Sequence, residues 1–517
     1  MNRLHFFGRG NSVMRLIRTL GFLFVAALGL SACGGGSGGS SAASTGVVNV
    51  GLTDAAGDFL TYAIDVTSLT LTKADGTVVQ TLPQKTRVDF AQYADLTEFL
   101  TGATVPAGDY VSATLQADYS NADVEVDDGS GTPVKISAAN IHDSSGNPVT
   151  SLSMTVKLDN ARHLVIAPGV PALFDLDFNL AASNQVDMSN PAVPVVTVNP
   201  MLVADVNPDA PKPHRIRGPL DAVDTAAGSF TLVLRPFHLL QGDFGRLTFI
   251  TDGNTDYEIN QTSYQGGAGL TALAQLPRFT ATVALGTLDP GSGKFLATEV
   301  YAGSSVAFGS SDVVTGNVIA RNGDTLTIKG ATLVRSTGTL SFRNTVSVTV
   351  ASTTKVTGQT LAGASLDSSS ISVGQRVTVL GTITQDNGSG TAMDASTGLV
   401  RLLITQLNGT VNSTGSGNIA MTLARIDGRP IGLFNFAGTG TSGNDASPNA
   451  YQITTGALSL AGIVNGTPLQ GARLRATVWH RHGQRRLQCH HPDRCHQCAG
   501  STGCGLAIAR AGAVQQL

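Results

Sequence analysis

The sequence predicts an all-β protein: an N-terminal antiparallel β-sandwich followed by about three small β-barrel or sandwich repeats. Three observations carry this. Apolar residues recur at every second position in many short runs, the period of a half-buried strand. Charged residues make up only 13% and aromatics 5% of the chain, while 60 of its 517 residues are Gly; that composition suits short strands and tight turns. From residue 214 onward, similar strand patterns return about every 95 residues, which marks serial copies of one unit.

In chain order, residues 1–32 read as a signal segment. Arg3, Arg9, Arg15 and Arg18 lie ahead of an apolar run from Leu20 to Leu30, and no acid interrupts them. The run is too short to span a bilayer, which takes about 20 apolar residues, and small residues follow it as at a cleavage point. Leu30-Ser31-Ala32-Cys33 resembles the lipobox of bacterial lipoproteins. The resemblance implies cleavage before Cys33 and lipidation of its thiol and new amine, and Gly34 rather than Asp in the next position implies the outer membrane. An ordinary secretory signal is the competing reading. Residues 33–45, rich in Gly and Ser, read as a tether. They contain G-x-S-x-G at residues 35–39, but without the flanking strand and helix that a nucleophile elbow requires.

Residues 46–206 read as the sandwich. Val48, Val50 and Leu52 alternate, and so do Ile64 and Val66. The pattern resumes one residue out of step at Leu69 and Leu71, which predicts a bulge near Thr67-Ser68. Ala74-Asp75-Gly76 predicts a hairpin turn. Asp95-Leu96-Thr97-Glu98 fits a capping box and predicts one short helix. Pro106 to Asp109 predicts a turn into the alternating Val111, Ala113, Leu115, Ala117 and Tyr119, and Leu152 to Leu158 alternates again. Phe174, Leu176, Phe178 and Leu180 alternate with Asp175, Asp177 and Asn179. The stretches from Val48 to Asp58, Val105 to Tyr110 and Phe174 to Phe178 resemble the bacterial domain-of-unknown-function family 4382 over about residues 46–206. The resemblance implies a prealbumin-like sandwich in an extracytoplasmic lipoprotein; it brings no catalytic residues.

Residues 214–305, 312–404 and 407–478 read as the repeats, the third truncated. Gly218, Gly316 and Gly409 each open a strand pair. A polar strand follows in each (Thr255 to Ile259, Thr353 to Val356, Tyr451 to Thr454), then a basic-apolar strand beginning at Arg278, Arg376 or Arg473. Val373 to Gly381 resembles the domain-of-unknown-function family 5666, found as small all-β repeats.

Candidate chemistry is sparse. Asp54 and Asp58 flank one loop and are candidate cation ligands, against the alternative that such residues cap turns. Asp123, Glu125 and Asp127 share a strand face but do not complete a calcium-loop pattern, and a solvated face is the competing reading. Asp252, Asn254, Asp256 and Glu258 invite the same two readings. Gly438 to Gly443 matches G-x-G-x-x-G but is followed by Asn444 to Pro448, which cannot open a helix. His142, His163, His214 and His238 are dispersed and read as ordinary loop or strand histidines.

The body has no cysteine between Cys33 and Cys489, so it relies on no disulfide. Residues 479–517 crowd Cys489, Cys495, Cys498 and Cys504 among five histidines. Cys495 and Cys498 are candidate zinc ligands. A second reading takes this tail as a shifted reading frame after Val478: one GC-rich back-translation from Arg481, read one nucleotide later, returns a Gly/Thr-rich sequence like the earlier repeats.

The near-neutral balance, −3, argues against a nucleic-acid partner. The expectation is a non-enzymatic, outer-membrane-anchored lipoprotein. Its partners would be the membrane, through a lipid anchor, and a glycan or envelope protein as ligand, with no cofactor. The alternative is a metal-dependent envelope enzyme or metal-binding protein using the Asp-rich loops or the tail.

Overall fold

Alternation builds the first module. In β1 (Thr45–Thr53), Val48, Val50 and Leu52 are fully buried. The computed structural model describes residues 44–54, 59–93, 96–128, 132–158, 163–207, 212–236, 239–289, 294–306, 311–359, 365–439, 445–455, 460–471, 474–477, 486–489 and 495–497. They are almost entirely strands and turns.

After β1 come β2 (Phe59–Lys73), β3 (Val78–Gln80), β4 (Thr86–Asp89), β5 (Thr97–Pro106), β6 (Gly108–Asp127), β7 (Pro133–Ile136) and β8 (Ile141–Asp143). The module continues with β9 (Ser151–Lys157), β10 (Leu164–Ile166), β11 (Ala172–Phe178), the single turn α1 (Leu180–Ser183), β12 (Asn184–Asp187), β13 (Val195–Val198) and β14 (Leu202–Val206). One layer runs β14-β11-β1-β5; the other runs β10-β6-β2-β3, with β4, β7 and β9 added. Pairing is antiparallel except for β1 with β11 and β8 with β13. Tyr62, Ile64, Phe90, Leu115, Phe174 and Phe178 belong to the core between the layers. The β2–β6 ladder shifts register between Val66 and Ser68, which is the expected bulge.

The helix expected from Asp95-Leu96-Thr97-Glu98 does not form: Thr97 opens β5, and Asp95 lies outside the described residues. The competing force is tertiary. Glu98 is fully buried beside Arg215 and Arg217, so its carboxylate goes to two guanidinium groups rather than to a helix start.

The first repeat comprises β15 (His214–Asp224), β16 (Ser229–Val233), β17 (Arg246–Ile250), β18 (Asp256–Ile259), β19 (Thr262–Gln265), the helix α2 (Gly266–Ala274), β20 (Ala281–Asp289) and β21 (Lys294–Ala302). The second comprises β22 (Asp312–Asn322), β23 (Thr325–Val334), β24 (Leu340–Thr349), β25 (Lys355–Gly358), β26 (Arg376–Asn387) and β27 (Gly390–Leu402). Apart from β19, which pairs with β18 and has no counterpart among the described residues of the second, their pairings correspond strand for strand. An antiparallel meander, β15-β16-β17 or β22-β23-β24, meets β21 or β27 in parallel. That strand pairs with β20 or β26, which returns to the first strand and closes a barrel. Closure removes the free edges an open sheet would expose. β18 and β25 each add in parallel to the far half of β21 and β27.

In the third repeat, β28 (Leu407–Gly415), β29 (Asn418–Ile426), the short β30 (Arg429–Pro430) and β31 (Tyr451–Thr454) precede β32 (Pro468–Gly471), β33 (Leu474–Thr477), β34 (Arg486–Cys489) and β35 (Cys495–Gln497). Two expectations are corrected here. Tyr451 to Thr454 is not the counterpart of Thr255 to Ile259; it pairs antiparallel with β29 as the third meander strand, because Tyr451 and Ile453 both bury into the core. The strand returning to β28 is Pro468–Gly471, which buries Leu469, and the segment from Leu474 pairs instead with β34.

The repeated glycines mark close approaches. A Cβ on Gly218 would stand 1.7 Å from Val233 O, on Gly409 2.1 Å from Thr422 O, and on Gly316 2.8 Å from Lys329 O. Beyond each glycine the register slips: between Leu220 and Ala222, Val318 and Ala320, and Val411 and Ser413. The sandwich and the first barrel share one 11-stranded sheet through parallel pairing of β15 with β5.

Candidate functional site

A buried polar cluster lies where the first two barrels meet. Thr255 and Thr354 establish the equivalence: each accepts from a backbone N–H three residues earlier, Asp252 or Ala351, and donates to a carbonyl, Ala297 O or Ala395 O, at 2.8 Å. Three positions on stand Glu258 and Thr357, paired across to Tyr301 and Arg401 respectively. These equivalent strand pairs face each other. Arg401 donates through Nε to Glu258 Oε2 (2.9 Å) and through Nη2 to Glu258 Oε1 (2.6 Å), a bidentate pair. Nη2 also donates to Ser305 O at 2.8 Å, and the guanidinium lies 3.8 Å from the centre of the Tyr301 ring. Thr357 donates to Glu258 Oε2 (2.6 Å), Gln359 Nε2 donates to Glu299 Oε1 (3.0 Å), and Tyr301 donates its hydroxyl to Glu299 Oε2.

Both charges are nearly enclosed: Glu258 is 5% and Arg401 8% exposed. Burial pushes the Glu258 carboxyl up, but Arg401, with Thr357 and Ser305, offsets this and holds it below the ordinary glutamate value. Burial, then Glu299, pushes the Tyr301 phenol well above its usual range, so it stays a donor. A cavity of about 20 Å³ lies among Asp256, Glu258, Glu299, Tyr301, Gly358 and Gln359. It has room for about one water, far below the hundreds of Å³ of a small-molecule site. The cluster is built to join two barrels.

The other two seams follow the same rule. Between sandwich and first barrel, Glu98 accepts from Arg215 Nε (2.5 Å) and Arg217 Nε (2.8 Å). Asp175 meets the enclosed His214 Nε2 at 3.2 Å, and the imidazole sits edge-on to Phe99 and Phe295. Between the second barrel and the third repeat, Asp427 accepts from Gln406 N and Asn317 Nδ2, both at 2.6 Å, while Arg429 Nε donates to Asn317 Oδ1 at 3.2 Å. Burial pushes the Asp427 carboxyl up against the pull of Arg376 and Arg429.

The acids singled out in the sequence do not converge. Asp54 is buried; its Oδ1 accepts the Leu180 backbone N–H at the start of α1 (2.9 Å) and its carbonyl accepts from Lys212 Nζ (2.8 Å). Asp58 lies outside the described residues. Asp123, Glu125 and Asp127 do share the outer face of β6, opposite the buried Val124 and Val126. Asp123 accepts from Lys135 Nζ at 2.7 Å. Burial, then Asp123, pushes the Glu125 carboxyl up, countered by Lys135 and by Arg343 of the second barrel. Asp252 accepts from Asn254 N (2.8 Å) as a turn cap, Asp256 accepts from Gln265 Nε2 (3.2 Å), and Glu258 belongs to the seam.

Among the described residues, no three His, Cys, Asp or Glu side chains gather in a way that could hold a metal ion. Cys33, Cys498 and most of residues 438–443 lie outside the described residues. Cys495 stands in β35 opposite Gly471. His142 Nε2 contacts Ala139 O at 3.0 Å.

Sequence reasoning missed the seams, although one signal was present. Arg401 is a lone charge in Leu399-Val400-Arg401-Leu402-Leu403, and Glu98 shares a strand face with Leu100. A charge in an apolar strand run implies a buried partner.

Residues 45–191 match the family model described as Domain of unknown function (DUF4382). No curated protein matches the chain.

Proposed function

We propose that this chain is a non-enzymatic lipoprotein of the cell envelope. Acylated Cys33 holds it at the outer membrane, and its joined β modules form a scaffold presented to a glycan or an envelope protein. The observation that carries the reading is the character of the seams. Each module junction is fixed by buried carboxylates committed to guanidinium, imidazole or amide partners within the chain. Such groups hold modules in register and leave little free to react. The lipobox-like Leu30 to Cys33 and the Gly/Ser tether supply the anchor; several acyl chains on one cysteine contribute about 0.8 kcal/mol per buried methylene. In this reading the barrels are serial copies of a module similar to domain-of-unknown-function family 5666.

Metabolic labelling with a palmitate analogue, combined with membrane fractionation and surface proteolysis, tests it. The expected outcome is a labelled protein in the outer-membrane fraction, with Cys33→Ala unlabelled and released. Unlabelled protein in the cytosol with residues 1–32 still attached would refute it. Glycan arrays and pull-downs with the chain from Gly46 onward then seek the ligand.

A further inference from the structure

The end of the sandwich that receives the tether carries an exposed apolar rim. Ser44 O accepts from Ala107 N (2.7 Å), and Thr45 pairs with Pro106. A Cβ on Gly46 would stand 2.5 Å from Ala167 O, so the start of β1 abuts the turn after β10. In β10, Val165 stands opposite Asp109 and is 57% exposed; Val170, bridged to Ala167 across that turn, is 64% exposed. The neighbouring β2–β3 turn reaches the same end. Ala74 N donates to Asp109 O (3.0 Å), and Val78, opposite Thr72, is 61% exposed. Strand order β10-β6-β2-β3 places Val165 and Val78 three strand spacings apart, about 15 Å. Three of the most exposed large apolar side chains therefore flank the point where the tether joins. Charge there is sparse: Lys73 pairs with Asp75 at 3.6 Å, and Asp109 stands opposite Val165.

Tether length selects the occupant. Cys33 precedes Ser44 by eleven positions, and no chain of that length can span more than about 40 Å. A bilayer anchored at Cys33 is thereby tied to Ser44, at the end of the sandwich that carries Val78, Val165 and Val170. We propose that this end of the sandwich rests on the lipid surface, with the β2–β3 turn and the β10 turn wedged into the headgroup region beside the acyl anchor. The inference rests on the acylation of Cys33 and adds an orientation: the barrels point away from the bilayer.

Hydrogen–deuterium exchange tests it, using the full-length lipoprotein in vesicles of phosphatidylethanolamine and phosphatidylglycerol and in detergent, with mass measurement of Cys33 in the same sample. In vesicles, amides of residues 74–80 and 164–171 are expected to exchange about tenfold more slowly, the factor given by burying roughly half a valine side chain at each tip. Peptides around the exposed Leu240 and Phe279 should not change. Val165→Ser/Val170→Ser, neutral so that no like charge is set opposite Asp109, should abolish the protection while Cys33 stays acylated. Acylated protein whose tips exchange as in detergent would overturn the orientation alone. Protection that appears in detergent and grows with protein concentration would assign the rim to a second copy and likewise overturn it. Unmodified Cys33 would overturn the anchor and the orientation together.

Discussion

Replacing Arg401 with Met removes the one guanidinium that, among the described residues, contacts Glu258 and leaves the barrel seam otherwise filled. Met keeps much of the apolar stem that packs on Tyr301. Glu258 is then left with the hydroxyl groups of Thr357 and Ser305. Stranding one member of a buried ion pair costs about 3–5 kcal/mol; the lost bond to Ser305 O lies within that range. With a urea m value of about 2–3 kcal/mol/M, the unfolding midpoint of the unit containing the second barrel should fall by more than about 1 M. Far-UV circular dichroism during urea titration reads this, and hydrogen exchange in Lys355–Gly358 and Leu399–Leu402 localises it. Adding Glu258→Gln removes the stranded charge and should restore stability to within about 1–2 kcal/mol of the parent. The loss must also depend on pH. In the parent the Glu258 carboxyl is held below its ordinary value, so its stabilisation is present above about pH 4.3 and is lost as pH falls through the lower folded value. In the variant burial acts largely unopposed and the folded value rises; its penalty is absent near pH 4 and grows as pH rises. The two proteins should therefore converge toward pH 4 and diverge at neutrality. A loss below about 1 kcal/mol at neutral pH, or one that ignores both pH and Glu258→Gln, would refute the reasoning.

Asp89 offers a second pH test. Burial raises its carboxyl to about 6, although it accepts the Tyr62 backbone N–H at 2.8 Å. Its neutral form therefore favours the fold: that contribution is complete below about pH 4 and is lost as pH rises through about 6, some 2–3 kcal/mol in all. Asp89→Asn should remove this dependence and be no less stable than the parent at pH 8, measured by denaturant titration at several pH values. Gly218→Ala, Gly316→Ala and Gly409→Ala should each cost about 1–3 kcal/mol, the first most, since its Cβ would overlap Val233 O; calorimetry of the three variants ranks them. Arg343→Ala should release Asp386, now held at about 2 by the bidentate guanidinium, toward the ordinary aspartate value. Carboxyl titration followed by nuclear magnetic resonance reads that shift, while stability at neutral pH should barely move because the pair is partly exposed.

The sequence alone determined what is local. Period-two alternation placed the strands, the slip between Val66 and Leu69 located a bulge, and Gly218, Gly316 and Gly409 announced three copies of one hairpin, because strand faces and close backbone approaches leave their mark within a few residues. Tertiary structure alone decided what those strands meet. Glu98 reads as a helix cap until Arg215 and Arg217 arrive from the next module, and Asp175 reads as an outward residue until His214 covers it. Glu258 and Arg401 stand 143 positions apart, and no pattern in either strand names the other. Burying a charge is tolerable only beside a matching one, and which two meet is fixed by the closing of the barrels.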